Sequence, residues 1–145
     1  MSTATRCSKT DPAKRVIVLY DAECGFCRWS LAKLLAWDRG RRLRPVAIQS
    51  AEGERLLGDL NEGERLGSWH LVEATGRRNS AGAAAPRLLR GLPGGGPLAA
   101  LLERFPKATQ RCYAWVVRHR GTMGRPIPAG AKRRADERIR QRQAE

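Results

Sequence analysis

The residues of this chain whose types and spacing best support chemistry are the two cysteines of Cys24-Gly25-Phe26-Cys27. Two thiols separated by two residues can close a small disulfide ring when the first turn of a helix holds their sulfur atoms together. The unpaired backbone N–H groups at the start of such a helix, and the positive end of its dipole, favour a thiolate at Cys24. The spacing predicts a dithiol in which Cys24 attacks and Cys27, one turn deeper, resolves the mixed disulfide.

The residues around the dithiol suggest supporting roles. Asp21 precedes Cys24 by three positions, so its carboxylate could accept or relay the proton of Cys27, or it could cap the loop before the helix, and the sequence favours neither role. Gly25 and Phe26, between the cysteines, influence the redox poise. We assign Cys24, Cys27 and Asp21 as the candidate catalytic residues.

Two segments must position this site. Residues 15–20 form a nearly continuous run of β-branched and aromatic side chains, which is typical of a buried strand in an α/β sheet. From residue 26 to residue 38 the apolar period changes, and Cys27, Leu31, Leu34 and Leu35 fall on one face of a helix. The pair therefore lies where a strand leads into a helix.

The rest of the chain continues in the order β-α-β-α-β-β-α, with helical additions towards its C-terminal end. Residues 43–48 predict a second strand, in which Pro45 requires an edge or first-residue position. Ser50 is the predicted N-cap of a helix over residues 50–61. A hairpin is predicted over residues 68–80. Further helices are expected over residues 80–92, 98–105 and 109–120. The last of these has a predicted docking face formed by Cys112, Trp115, Val116 and His119.

The motif Tyr20-Asp21-x-x-Cys24-x-x-Cys27, after an apolar strand and before a leucine-rich helix, resembles the DCC family of thiol-disulfide oxidoreductases, named after its D-x-x-C-x-x-C signature. The resemblance covers roughly residues 15–120. It implies an α/β fold with a thioredoxin-like central sheet flanked by helices, extra C-terminal helices, and a redox-active disulfide acting on a protein or small-molecule thiol or disulfide substrate. We expect no cofactor.

Two features depart from the related patterns. Many DCC family members have glycine where this chain has Ala22, and thioredoxins have a cis-proline where this chain has Gly67 and Ser68. Substrate contacts of the thioredoxin type, which use that proline, are therefore not expected. We expect Gly25, Phe26, Trp69 and His70 to bind the substrate instead, although His70 and the tryptophans are individually more typical of packed residues.

Cysteine and histidine usage also bears on a zinc site, the main alternative use of a Cys-x-x-Cys pair. Tetrahedral zinc needs four ligands, and the remaining candidates, Cys7, Cys112, His70 and His119, are isolated in the sequence. We therefore expect no bound metal.

Length and composition indicate the domain organisation and the cellular location. A chain of 145 residues can form one domain with a substantial core, which we place at residues 15–120 between a disordered N-terminus, 1–14, and a basic, mostly irregular tail, 121–145. The N-terminal residues do not have the apolar run of a secretory signal, and no segment approaches a membrane span. We expect a cytoplasmic protein of unassigned oligomeric state.

The net charge of +14 raises a second functional hypothesis. Residues 111–145 carry ten Lys or Arg against three Asp or Glu, which is half of that charge. A solvated tail is the simpler interpretation, because charge runs alone specify no partner. Weak contact between the tail and a polyanion is the alternative interpretation. The alternative to the redox function is a non-catalytic thioredoxin-like binding or adaptor module whose basic C-terminal region contacts nucleic acid or an acidic partner.

Overall fold

The computed structural model describes residues 15–145. The predictions for residues 1–14, including Cys7, lie outside that range. One mixed sheet is built from β1 (Val16–Tyr20), β2 (Leu43–Ala47), β3 (His70–Val72) and β4 (Arg78–Ser80), in the order β2-β1-β3-β4. The pair β1–β2 is parallel, whereas β3 is antiparallel to both β1 and β4. This sheet with its helices confirms the predicted α/β fold and is consistent with a thioredoxin-like architecture.

Seven α-helices accompany the sheet within residues 15–145. They are α1 (Gly25–Trp37), α2 (Ala51–Leu56), α3 (Glu62–Leu66), α4 (Ala84–Arg90), α5 (Gly96–Arg104), α6 (Pro106–Met123) and α7 (Ala129–Gln143). The predicted cap of α2 is confirmed, since Ser50 Oγ accepts a hydrogen bond from the Gly53 N–H at 3.1 Å. The edge position of β2 confirms the expectation from Pro45, whose missing N–H an edge strand tolerates. Helix α3 was not predicted.

Side chains on β1 alternate between two apolar clusters, one on each face of the sheet. Val18 and Tyr20 join a cluster that includes Leu31 and Leu35 of α1. Leu19 joins a second cluster on the opposite face with Leu57. Burial on both faces explains why β1 is apolar throughout, and it fixes the strand that leads into the dithiol.

The C-terminal region corrects the sequence interpretation, because residues 121–145 are not mostly irregular. Helix α7 packs along α1 and buries Ala135, Ile139 and Arg142. The Arg142 guanidinium donates to Asp38 Oδ2 at 2.7 Å, and that carboxylate is only 1 % exposed. The helical stripe was not recognised because one of its three buried members is an arginine, whose burial depends on a carboxylate distant in the sequence.

The orientation of α6 is a second correction. The sequence predicted a docking face formed by Cys112, Trp115, Val116 and His119, with Trp115 in the core. In the structure Cys112 is exposed and Trp115 is 54 % exposed. The inner face is shifted by one residue, and it carries Tyr113, Val116, Val117 and Arg120, which line a cavity together with residues of α1 and β1.

Candidate active site

Cys24 is the N-cap residue of α1, and Cys27 lies in the first turn of that helix. The Cys27 backbone N–H donates to Cys24 Sγ, with 3.3 Å between nitrogen and sulfur. Both thiols are free and partly buried. A backbone N–H aimed at Cys24 Sγ, at the positive end of the α1 dipole, favours negative charge on that sulfur. The structure therefore places both cysteines at the helix start that the sequence predicted.

The environment of Cys27 favours its protonated thiol. Burial, followed by the hydrogen bond and the charge of Cys24, raises the pKa of Cys27 from an ordinary value of 9.0 to about 12. The nearby Asp21 carboxylate raises this pKa slightly further, and the Arg120 guanidinium opposes the rise. Two of these contributions come from Cys24 itself, so the acidity of Cys27 depends on the chemical state of its neighbour.

The loop before α1 is held by Asp21 and Gln49. Asp21 Oδ1 accepts from the Glu23 N–H at 2.9 Å and from Gln49 Nε2 at 2.7 Å, while Gln49 Oε1 accepts from the Ala22 N–H at 3.1 Å. Asp21 Oδ2 lies 3.8 Å from Nη2 of Arg120. The loop-capping geometry predicted for Asp21 is thus present, and its second oxygen faces α6.

An apolar cavity of about 280 Å³ opens beside the dithiol. Its walls come from β1, the inner face of α1, residues 68–69 and the inner face of α6, and Cys27 is part of the lining. The Trp69 backbone N–H donates a hydrogen bond to Tyr113 Oη, with 3.0 Å between nitrogen and oxygen. Arg120 and Asp21 contribute a cation and a carboxylate to a wall that is otherwise mostly apolar.

The structure brings some of the predicted site residues together and separates others. Asp21, Phe26, Cys27 and Trp69 line the cavity. His70 is not brought to the dithiol: it is 1 % exposed, its Nδ1 lies 2.6 Å from Ser80 Oγ, and its Nε2 lies 3.1 Å from the Arg65 carbonyl oxygen. Burial lowers the pKa of His70.

Gly25 lies beneath a side chain of α7. A Cβ atom at this position would lie 3.3 Å from Cε and 3.6 Å from Nζ of Lys132. A larger residue would therefore press on Lys132. The C-terminal helix thus reaches the dithiol as well as the opposite end of α1.

Sequence reasoning missed four residues around the site: Gln49, Tyr113, Arg120 and Lys132. Tyr113 and Arg120 belong to an i, i+3, i+4, i+7 set with Val116 and Val117, so the helical period contained a signal for them. Gln49 and Lys132 have no such signal, because their proximity to the dithiol depends on chain segments that meet only in the folded protein.

No group of three or more His, Cys, Asp or Glu side chains that could hold a metal ion occurs in the part of the chain from residue 15 onward. In that same part, none of the helices combines the length and the apolar character needed to cross a membrane.

Comparison with known proteins yields one match. The model of a family described as DCC1-like thiol-disulfide oxidoreductase matches residues 18–126. No curated protein and no solved structure matches the chain significantly. The matched range begins inside β1 and ends just after α6, so it contains both cysteines and the residues that line the cavity, whereas α7 lies beyond it.

Proposed function

We propose, since this chain belongs to the DCC1-like thiol-disulfide oxidoreductase family, that it exchanges thiols and disulfides through Cys24 and Cys27. The observation that carries this proposal is the hydrogen bond from the Cys27 N–H to Cys24 Sγ at the start of α1. It supports Cys24 as the attacking thiolate, and the partly buried Cys27 follows as the resolving thiol.

The reducing half-reaction has two steps. The Cys24 thiolate attacks one sulfur of a substrate disulfide, the substrate S–S bond breaks, and one substrate thiolate leaves. Cys27 then loses its proton and attacks Cys24 Sγ, which forms the Cys24–Cys27 disulfide and releases the second substrate thiol. The protein dithiol is oxidised by two electrons and the substrate is reduced by two. A thiol reductant regenerates the protein.

The electrostatic coupling between the two cysteines determines when Cys27 can attack the mixed disulfide. While Cys24 is a thiolate, its charge and hydrogen bond help to hold the pKa of Cys27 near 12. Once Cys24 is in a neutral mixed disulfide, that charge is gone and Cys27 becomes more acidic. Cys27 therefore becomes reactive when a substrate is attached.

Asp21 is the proposed proton acceptor for this second step, in addition to its role in the loop. It lines the same cavity as Cys27, and its charge acts on Cys27. Its side chain is 12 % exposed, so it exchanges protons with solvent. Phe26 and Trp69, the other predicted residues at the cavity, are proposed to contact the substrate.

The decisive experiment is a redox titration of the metal-free protein across glutathione buffers, followed by alkylation and peptide mass spectrometry. We expect Cys24 and Cys27 to interconvert as a pair within the cytosolic range, in keeping with the proposed cytoplasmic location, while a Cys112→Ser control titrates identically. A Cys27→Ser variant should accumulate mixed disulfides at Cys24. Cysteines that remain independent thiols at all potentials would refute the proposal.

The second candidate is the non-catalytic binding module, and the exposed Arg133, Arg134 and Arg138 of α7 favour it. Deleting α7 would be a poor test, because α7 contributes to the core. The better comparison pairs a Cys24→Ser, Cys27→Ser protein with one in which the three exposed arginines are changed to glutamine. Cellular function that survives the first change and is lost with the second would favour the binding module.

A further inference from the structure

We propose that the cavity beside Cys27 is the binding site for a low-molecular-weight disulfide whose organic group combines one aromatic ring with a carboxylate. The ring fills the apolar space between α1 and α6, and the carboxylate pairs with Arg120. This inference rests on the proposed function and adds a substrate class to it.

The size and lining of the cavity determine the apolar part of the ligand. Its volume of about 280 Å³ is at the lower end of the roughly 300–1,000 Å³ typical of small-molecule sites. The hydrocarbon lining includes Val18, Leu31, Leu34, Val116 and Val117, and Trp69 adds an aromatic surface. These dimensions suit a single ring, and the aromatic wall offers it an offset-stacked or edge-to-face neighbour.

Arg120 determines the charged part. Its guanidinium donates no hydrogen bond within residues 15–145, and its ion-pair contact there is Asp21 at 3.8 Å, beyond hydrogen-bond distance. Asp21 Oδ1 already accepts two hydrogen bonds from the loop, which holds this carboxylate in place. The donors of Arg120 are therefore available to a ligand carboxylate, and the net charge of +14 attracts an anion to the site.

A ligand in the cavity also lies beside the dithiol, because Cys27 belongs to the lining while Cys24 is its neighbour just outside it. The Cys27 N–H is bonded to Cys24 Sγ. When Cys24 attacks the bound disulfide, one aryl thiolate leaves and the other aryl group stays attached through Cys24. Its ring then rests against Cys27, whose attack on Cys24 releases the second aryl thiolate. Two electrons and two protons pass from the protein dithiol to the two released thiols.

The test measures how fast four disulfides oxidise Cys24 and Cys27 to a disulfide in protein that was first reduced and then separated from the reductant. They are 5,5′-dithiobis(2-nitrobenzoate), which is aromatic and anionic; 4,4′-dithiodipyridine, which is aromatic and neutral; 3,3′-dithiodipropionate, which is anionic without a ring; and bis(2-hydroxyethyl) disulfide, which is neutral without a ring. For each substrate, the rate of a variant is divided by the wild-type rate, so that intrinsic reactivity cancels.

Two variants address the two parts of the site. Val117→Phe fills the cavity, and we expect it to lower the rates with both aromatic disulfides about tenfold relative to the ring-free ones, as expected from losing the burial of a ring. Arg120→Gln should lower the rate with the anionic aromatic disulfide about tenfold relative to the neutral aromatic one, the usual size of a lost charge-assisted hydrogen bond. Taking the ratio between substrates removes any general effect of Arg120 on Cys27.

Exposed positions on the same helix provide matched controls. Ala114→Phe adds the same ring, and Arg118→Gln removes a cation, at residues that do not line the cavity. We expect neither control to change the substrate ratios. Melting temperatures check that each variant folds. If Val117→Phe does not fold, Val117→Leu replaces it, because leucine fills less of the cavity than phenylalanine.

The outcomes separate the inference from the function on which it rests. If the wild-type protein reduces none of the four disulfides, the proposed function fails. If it reduces them but the ratios do not respond to Val117→Phe and Arg120→Gln, the cavity assignment alone is wrong. If insulin disulfides are reduced faster than all four and with the same dependence on Val117, the site serves protein side chains and the assignment to small molecules is overturned.

Discussion

The acidity of Cys27 offers the sharpest test of the site geometry, through a Cys24→Ser substitution. Burial and two contributions from Cys24 raise the pKa of Cys27 from 9.0 to about 12. At pH 10 a thiol with the ordinary value would be roughly 90 % ionised, whereas Cys27 should be roughly 1 % ionised. Removing the Cys24 sulfur abolishes its charge and its hydrogen bond, so the Cys27 midpoint should move down towards the ordinary value while burial keeps it above that value.

The assay is the pH dependence of the ¹³C chemical shift of cysteine Cβ atoms in selectively labelled, reduced protein. Each cysteine reports separately, and Cys112→Ser identifies one signal without altering the Cys27 midpoint, because Cys112 lies on the exposed face of α6. A second variant, Asp21→Asn, should lower the Cys27 midpoint by less than Cys24→Ser, since Asp21 contributes least among the causes that raise it.

Two results would refute this reasoning. A wild-type midpoint near 9 for Cys27 would mean that the thiol is neither buried nor coupled as the structure has it. An upward shift in Cys24→Ser would mean that Cys24 does not oppose ionisation of its partner. The raised pKa of Cys27 also makes the stability of the protein depend on pH. It stabilises the folded protein below pH 9, and this stabilisation is lost as the pH rises from 9 towards 12.

Three further predictions concern stability and can be measured by chemical denaturation. Arg142→Met leaves the buried Asp38 carboxylate without its partner and should lower the free energy of unfolding by about 3–5 kcal/mol. Arg140→Met removes an exposed ion pair and should leave stability unchanged. Equal effects of the two substitutions would contradict the docking of α7. Gly53→Ala would place its Cβ 2.2 Å from a backbone oxygen, so it should lower the free energy of unfolding by at least about 1–3 kcal/mol. The control Gly121→Ala meets nothing within 4 Å, and it should raise the free energy of unfolding by about 0.5–1 kcal/mol. The depressed pKa of His70 predicts stability that is present above pH 6.5 and declines below it, by at most about 1.4 kcal/mol per pH unit; His70→Gln should flatten that decline, and an unchanged slope would show that another group causes it.

The local elements around the dithiol could be predicted because their signals lie within a few residues. The apolar run of β1 and the period of α1 locate the strand-to-helix junction, and Cys24 and Cys27 lie there in the structure. Pro45 indicated an edge strand because the missing N–H is a property of the residue itself. The hairpin of β3 and β4 followed from turn chemistry, and Gly76 adopts the positive φ of 82° that glycine tolerates best.

Of the predicted substrate-binding residues Trp69 and His70, only Trp69 lies at the cavity, and residue type alone could not have shown which of the two would. Trp69 and His70 are adjacent in the sequence, yet Trp69 lines the cavity while His70 is buried against Ser80. Successive residues along an extended chain point to opposite faces of the sheet, so one of the two had to face away from the site. Which one does so depends on the register of β3 against β1.

The sequence by itself determined the chemistry that the site could hold: the dithiol, its place at a helix start, and the order of strands and helices along the chain around it. The tertiary structure decided what surrounds that dithiol. Arg120 and Asp21 approach within 3.8 Å although 99 positions separate them, and Arg142 is buried because it reaches Asp38. Periodicity records only which side of an element is apolar, whereas the partner of a buried charge and the shape of a cavity depend on how distant segments pack.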